Sequence, residues 1–287
     1  MFGVSAALTT PFKADGLVDF DRLNDHIKTV LSEGCTSVTF FGTTGEGASI
    51  ASETRLEAVR AAIDAQIDPA KLILTLHGAA ADDIVSQAKA ALQMGVEKFL
   101  LPPPCYFGGL EDQGLFDWFS QVLSQFQGTP AKFILYHIPQ VIGVGLPIEL
   151  VAQLKTAFPE AVLGVKDSSG SFENTKKLLQ LEGLEILVGD ERLLADAVRL
   201  GASGAISGIA NLFSERLSEM VSNGKNDPAI NKLVDTVLQF PVTPAIKTLV
   251  AHKYKANDWR HATPPLVTIS DADNQTLMSA YDLVGEH

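Results

Sequence analysis

Eight short apolar runs alternate with longer stretches of helical period along this chain, and that alternation limits the folds open to it more than any other feature. The runs lie at 4–9, 37–41, 72–76, 98–101, 133–137, 162–166, 185–188 and 204–207. Helical periodicity fills 20–32, 52–65, 82–94, 114–126, 147–157, 172–181 and 191–200. Strands in strict alternation with helices predict parallel βαβ units, and eight of them close naturally into a barrel. An open doubly wound sheet is the competing architecture. It usually has fewer strands or a nucleotide loop, and neither G-x-G-x-x-G nor G-x-x-x-x-G-K-[ST] occurs here. The predicted fold class is α/β, a TIM (β/α)8 barrel with a C-terminal helical extension, and 287 residues suit one barrel of about 250 residues plus an addition. Residues 1–210 are expected to carry the barrel strands and most helices. Residues 211–287 are expected to supply the closing helix and the extension of the same domain, with helical segments at 214–222, 228–238, 244–254 and 272–283. Ser52 and Ser171 stand where capping residues are expected, and Pro147 where a first-turn proline is tolerated.

Thirty-four Asp and Glu against twenty-two Lys and Arg leave a net charge of -12. That field repels phosphate backbones and anionic membranes at long range, which argues against nucleic-acid and membrane partners. A small anionic substrate stays open, because a few local donors outweigh the global field at contact distance. The opening MFGVSAALTTPF lacks the basic segment and apolar core of a secretion signal. No stretch approaches the ~20 apolar residues of a membrane span. Two cysteines, Cys35 and Cys105, are too few for a disulfide scaffold. These features predict a reducing, cytoplasmic setting.

In a barrel of this kind, catalytic groups sit at the C-terminal ends of the strands and in the loops that follow. The rule selects Thr43 and Thr44 after the second run, Cys105 and Tyr106 after the fourth, Tyr136 and His137 closing the fifth, and Lys166 and Asp167 closing the sixth. A lysine at the end of an apolar strand points into the barrel mouth, where partial desolvation disfavours the charged ammonium. The free amine attacks a carbonyl to form a Schiff base. The structural alternative for Lys166 is an ion pair with Asp167 or a neighbouring carboxylate. A Schiff-base enzyme also needs an acid-base group beside the amine, and the phenol of Tyr136 fills that role if a hydroxyl chain relays the proton; otherwise Tyr136 simply lines the barrel.

In FGTTGEG, the glycines at 42, 45 and 47 let the backbone approach a ligand. The hydroxyls of Thr43 and Thr44 and the nearby amides, that of Gly45 included, can hold the carboxylate of a 2-oxo acid. A glycine-rich turn whose threonines cap backbone groups reads the same residues structurally. Glu46 is expected to support that loop rather than to catalyse. The six histidines, at 26, 77, 137, 252, 261 and 287, lack the spacing of paired ligands, so no metal site is expected. His77 and His137, near strand ends, are expected to line the pocket, and His252 and His261 to lie at the surface. Cys105 has no activating partner close in sequence and reads as a small packing residue. GASGAISG, at 201–208, ends the eighth run, where many barrels hold a phosphate; tight packing explains its glycines equally well.

Assembled, these residues resemble the dihydrodipicolinate synthase and N-acetylneuraminate lyase family of class I, pyruvate-handling aldolases. The resemblance rests on GTTGE at 42–46, YHIP at 136–139, GVKDSSG at 164–170, GDE at 189–191, GASGAIS at 201–207 and VTPAIK at 242–247, in family order and spacing. It implies that Lys166 forms the Schiff base with pyruvate or a related 2-oxo acid, Tyr136 shuttles protons, Thr43 continues the hydroxyl relay and Thr44 binds the carboxylate. It implies that Tyr106 enters a neighbouring subunit's site, so that the working unit is a homo-oligomer, a dimer commonly within a tetramer. The main-chain carbonyl of Ile206 would line the substrate site. No cofactor is implied, because the imine itself is the electron sink.

His137 stands where asparagine is common in the family and is carried as a substrate-binding residue with a pH-responsive donor set. The lysine-pathway synthases usually place an arginine after the tyrosine segment to hold the distal carboxylate of the aldehyde. Val141 stands there, and losing a charge-assisted contact removes on the order of a few kcal/mol of recognition. The resemblance thus implies a lyase or aldolase that cleaves or condenses a sugar-acid or hydroxy-2-oxo-acid substrate, with pyruvate and an aldehyde as small-molecule partners. The alternatives are the synthase reaction itself, a dehydratase or deaminase using the same imine, and a non-catalytic 2-oxo-acid-binding protein.

Overall fold

Strands covered by helices on one side and by the barrel interior on the other are buried on both faces, which is why they read as continuous apolar runs. In the computed structural model, which describes residues 2–285, they are β1 (Gly3–Ala7), β2 (Ser37–Phe40), β3 (Leu72–Thr75), β4 (Lys98–Leu101), β5 (Lys132–His137), β6 (Val162–Asp167), β7 (Glu185–Val188) and β8 (Gly204–Ser207). All neighbouring pairs are parallel, and β1 pairs with β8 to close the barrel. The helices around it are α1 (Phe20–Ser32), α2 (Ser52–Asp64), α3 (Ala81–Gln93), α4 (Asp112–Leu123), α5 (Pro139–Ile142), α6 (Ile148–Ala157), α7 (Phe172–Leu178) and α8 (Glu191–Arg199). Then follow α9 (Ser214–Asn223), α10 (Pro228–Val237), α11 (Val242–Tyr254) and α12 (Asp271–Gly285). His287 lies outside the described residues.

The ends of these elements follow from local bonding. β1 stops at Ala7 instead of running to Thr9: the Leu8 N–H still reaches the Thr39 carbonyl, but the Thr9 N–H donates to Asn211 Oδ1, so a side chain terminates the ladder. Ser171 caps α7 by accepting from the Asn174 N–H. Ser52 is the first residue of α2 and not its cap, a place held by Ala51 without a side-chain bond. Pro147 occupies the cap position of α6. Gly204, at φ 149°, comes so close to the Gly3 carbonyl that a Cβ would overlap it, so this glycine serves the closure of the barrel.

Strand alternation divides the core in two. Ala7, Ile73, Leu100, Ile134, Leu187 and Ile206 fill the barrel interior together with Tyr136, and the outward residues pack under the helices. α9 packs on β1 and α8 and so completes the helical ring, while α10 leans on α8 and α12 on α10 and α11. None of the described helices is long and apolar enough to cross a membrane.

His26 on α1 ties this addition to the barrel. Its Nδ1 accepts from the Tyr254 hydroxyl at 2.7 Å and its Nε2 donates to Asn211 Oδ1 at 2.8 Å, bonds that a neutral ring satisfies. Burial pushes its pKa down to about 4, and burial does the same to His77. The unfolded chain binds protons on these rings near pH 6.5 and the folded chain only near pH 4, so stability is lost as pH falls between those values. Each ring accounts for about 2–3 kcal/mol of that loss at pH 4.5. Urea titrations at pH 7 and 4.5 are expected to show it, and His26→Gln to shrink the difference by one ring's share. An unchanged difference in that variant would contradict this assignment.

Candidate active site

Across β5 and β6 the register pairs Tyr136 with Lys166 and His137 with Asp167. Successive strand residues face opposite ways, so the first pair enters the barrel and the second turns outward. Lys166, 4% exposed, donates from Nζ to the Tyr136 hydroxyl at 3.2 Å and lies 4.2 Å from the centroid of that ring. The same hydroxyl is 3.3 Å from Thr43 Oγ1. Asp167 is no partner for the lysine: its carboxylate accepts from the Ser169 N–H at 3.0 Å, Asn174 Nδ2 at 3.1 Å and Thr175 Oγ1 at 2.8 Å. Among the described residues no carboxylate lies within ion-pair distance of Lys166. The result is a nearly inaccessible amine, a phenol and a hydroxyl in a row.

The loop after β2 is fixed from all sides. Gly42 accepts from the N–H groups of Gly45 at 3.1 Å and Gly47 at 3.3 Å, and Thr43 from that of Glu46 at 3.2 Å. This winding puts Phe41 and Glu46 in the left-handed region, both at φ 57°, an unfavourable state for side-chain-bearing residues that the surroundings must enforce. Arg55 donates to the carbonyls of Gly47 and Ile50 at 2.7 Å each, His77 Nε2 to that of Phe41 at 2.6 Å, and Thr243 Oγ1 to that of Thr43 at 3.0 Å. Glu46 is ion-paired with Lys247, both side chains fully buried, and its second oxygen accepts from the Thr263 N–H at 2.6 Å. Lys247 also donates to the Thr10 carbonyl at 2.7 Å, and burial pushes its ammonium down to about 8. The N–H groups of Thr43 and Thr44 have no acceptor among the described residues. Two free amides and two hydroxyls at one turn form a cradle suited to a carboxylate.

A cavity of about 380 Å³ opens over Lys166, lined by Thr43, Thr44, Tyr136, Ile206, Gly208 and the segment 189–192, among others. The carboxyl of Glu191 on its wall is pushed up by burial and accepts from Ser207 Oγ. A second cavity of about 320 Å³ shares Thr43, Tyr136 and Val141 with the first and extends past His77, Cys105 and Thr243 to Leu266.

The structure thus gathers Lys166, Tyr136, Thr43, Thr44 and Ile206 around one space. Three other expected site residues stand elsewhere. His137 points out of the barrel because its neighbour Tyr136 points in; its Nδ1 accepts from the Leu146 N–H at 2.9 Å, and burial lowers its pKa against the pull of Asp167. Gly45 does not line the cavity: its N–H is taken by Gly42, its carbonyl accepts from Thr10 Oγ1 at 2.6 Å, and its missing Cβ makes room for the Leu8 carbonyl. Tyr106 is 91% exposed at φ 95° and meets neither cavity of its own chain. Cys105, expected as a packing residue, is exposed, since it follows β4 by several residues and lies beyond the core. His77 lines the second cavity; His252 is half-buried beside Asp282, and His261 is exposed. No group of described residues is arranged to hold a metal ion.

Sequence reasoning missed Arg55, Gln87, Thr243 and Lys247. Gln87 accepts from Arg55 at 2.7 Å and so completes the loop's support. Lys247 carried a signal: it stands inside VTPAIKTLVA, where an isolated charge in an apolar helix implies a buried partner.

The model of the dihydrodipicolinate synthetase family matches residues 1–282. The chain superposes on the crystal structure of dihydrodipicolinate synthase from Agrobacterium tumefaciens with a TM-score of 0.96 and 46% identity, covering 99% of each chain. It is 32% identical to 4-hydroxy-tetrahydrodipicolinate synthase of Chlamydia trachomatis over 92% of this chain and 88% of that one. It is 29% identical to an uncharacterized DapA-like lyase of Chloroflexus aurantiacus over 98% and 96% of the two chains.

Proposed function

The chain belongs to the dihydrodipicolinate synthetase family, and from that membership and the row of Lys166, Tyr136 and Thr43 we propose a Schiff-base lyase or aldolase acting on a pyruvate-derived 2-oxo acid of the sugar-acid or hydroxy-2-oxo-acid type. It is an enzyme of the lyase class. The Lys166 amine adds to the C2 carbonyl of a 4-hydroxy-2-oxo acid, and water leaves to give the iminium. Thr44 and the free amides of the turn hold the C1 carboxylate. Tyr136 takes the proton of the C4 hydroxyl and passes it toward Thr43. The C3–C4 bond breaks, its electron pair flows into the iminium, and an aldehyde departs from an enamine. Protonation at C3 and hydrolysis release pyruvate and the amine, and the reverse sequence is condensation.

Tyr106 is assigned to a neighbouring copy's site. Its exposure, and the open second cavity beside Thr43 and Tyr136, support a hydroxyl arriving from outside the chain in a homo-oligomer. The 46% identity to the Agrobacterium dihydrodipicolinate synthase favours the synthase reaction as a second reading. Val141 on the cavity wall weighs against it, because a distal carboxylate would face an aliphatic side chain there.

The observation that carries the reading is the buried amine bonded to a phenol. Tyr136→Phe is expected to lower kcat for pyruvate release from a panel of 4-hydroxy-2-oxo acids by about 10²–10⁴-fold. Pyruvate binding and the unfolding midpoint should change little. A protein that merely binds 2-oxo acids would show no turnover in either form, and a wild-type kcat in the variant would remove Tyr136 from the mechanism.

A further inference from the structure

Aliphatic side chains from outside the barrel strands line much of the Lys166 cavity. α5 contributes Val141, α10 contributes Val234 and Val237, Leu238 follows directly, and Val242 opens α11. Val141, Leu238 and Val242 remain 58%, 47% and 41% exposed, so three of the large exposed hydrophobic side chains gather at one cavity mouth. A scattered exposed valine needs no explanation, but a cluster rimming a catalytic cavity marks a surface that a ligand covers.

The charges around the cavity set the other limit. Among the described residues its cations are Lys166 and Arg192. Lys166 becomes the imine. Arg192 gives Nε and Nη2 to the two oxygens of Asp190, at 2.9 and 2.6 Å, and Nη1 to Asp235 at 2.8 Å. Asp190 is itself fixed at the cap of α8, where it accepts the Arg192 N–H at 3.1 Å. The guanidinium is therefore balanced twice over, and Glu191 adds a further carboxyl beside it. A second carboxylate or a phosphate at this end would lose hydration and meet no unpaired cation. Gln140, Ser168 and Ser169 add uncharged polar groups to the same lining, and the Gln140 amide already donates to the Ser168 carbonyl at 2.6 Å.

We propose that the fragment joined to or split from pyruvate is an uncharged aldehyde with an apolar substituent, aryl or branched alkyl, seated against Val141, Val234, Val237, Leu238 and Val242. This inference rests on the imine reading above and narrows its substrate. In the cleavage direction the substrate is a 4-hydroxy-2-oxo acid whose C4 carries that substituent. Loss of the C4 hydroxyl proton, scission of C3–C4 and hydrolysis of the Lys166 enamine give one aldehyde and one pyruvate, with no change in oxidation state overall and no further reactant than water.

The test uses the full chain with pyruvate and two groups of aldehydes. Benzaldehyde, 2-methylpropanal and 3-methylbutanal form one group; succinic semialdehyde and glyceraldehyde form the other. The first group is expected to show kcat/KM values at least about tenfold above the second. Val141→Arg is expected to cut that ratio by about tenfold or more, by placing a charge where the substituent lies. Faster condensation of the charged or hydroxylated aldehydes, or none with the apolar ones, would overturn the inference. Borohydride trapping of pyruvate alone keeps the two levels apart. No adduct on Lys166 sinks the imine reading itself, whereas an adduct combined with the opposite aldehyde preference sinks only the apolar substituent.

Discussion

Lys166→Ala is expected to lose turnover by about four orders of magnitude or more while the protein stays folded. The loss follows from the chemistry, because the covalent intermediate is removed and the residual rate comes only from binding and orientation. The preserved fold follows from the site. Lys166 is buried with one hydrogen bond, to Tyr136, and no carboxylate, so the lysine contributes little to stability that alanine would forfeit. Taking a polar amine out of a nearly inaccessible position offsets the lost packing of its stem. An unfolding midpoint equal to or above that of the wild type is therefore expected, the pattern of a site where function and stability compete. A variant that both unfolds and loses activity would mean that Lys166 is structural.

The opposite pattern is expected at the buried pair of Glu46 and Lys247. Each side chain is fully inaccessible, so removing one leaves an ion without a counter-charge in the interior. Glu46→Gln and Lys247→Met are each expected to destabilise the protein by about 3–5 kcal/mol in urea titrations. The double variant is expected to recover much of that, because the uncompensated charge is gone. Its KM for pyruvate is expected to stay raised, since Glu46 also holds the Thr263 N–H and sits in the strained turn that presents Thr43 and Thr44. Single variants as stable as the wild type would show that the pair does not hold the loop. A double variant with normal KM would show that Thr43 and Thr44 do not depend on it.

How much of this was legible beforehand differs from element to element. The barrel was legible because strands buried on both faces leave apolar runs that turns and amphipathic helices separate cleanly. α5 was not, since the four residues from Pro139 to Ile142 are too few to show a period, yet this turn places Gln140 and Val141 on the cavity wall. Lys166 and Tyr136 stand at strand ends, and their register across β5 and β6 puts them side by side. His137 illustrates the limit of that rule: nearness to a strand end says nothing about facing, and adjacent residues cannot both enter the barrel. Gly45 and Gly47 were attributed to ligand approach, whereas the close neighbours are the protein's own Leu8 and Phe41 carbonyls. Long-range supports such as Lys247 on Glu46, 201 residues apart, arise only when the chain closes. The aliphatic wall was visible only as a single departure at Val141, because its other members come from α10, Leu238 and the start of α11.

The central claim is that Lys166 forms an imine with a 2-oxo acid. Incubating the protein with pyruvate and borohydride, then measuring intact mass and mapping the peptides, tests it directly. The account predicts one reduced pyruvate adduct per chain, carried by the Lys166 peptide and absent in Lys166→Ala. No adduct on folded protein with excess pyruvate, or an adduct on another lysine such as Lys247, would contradict it.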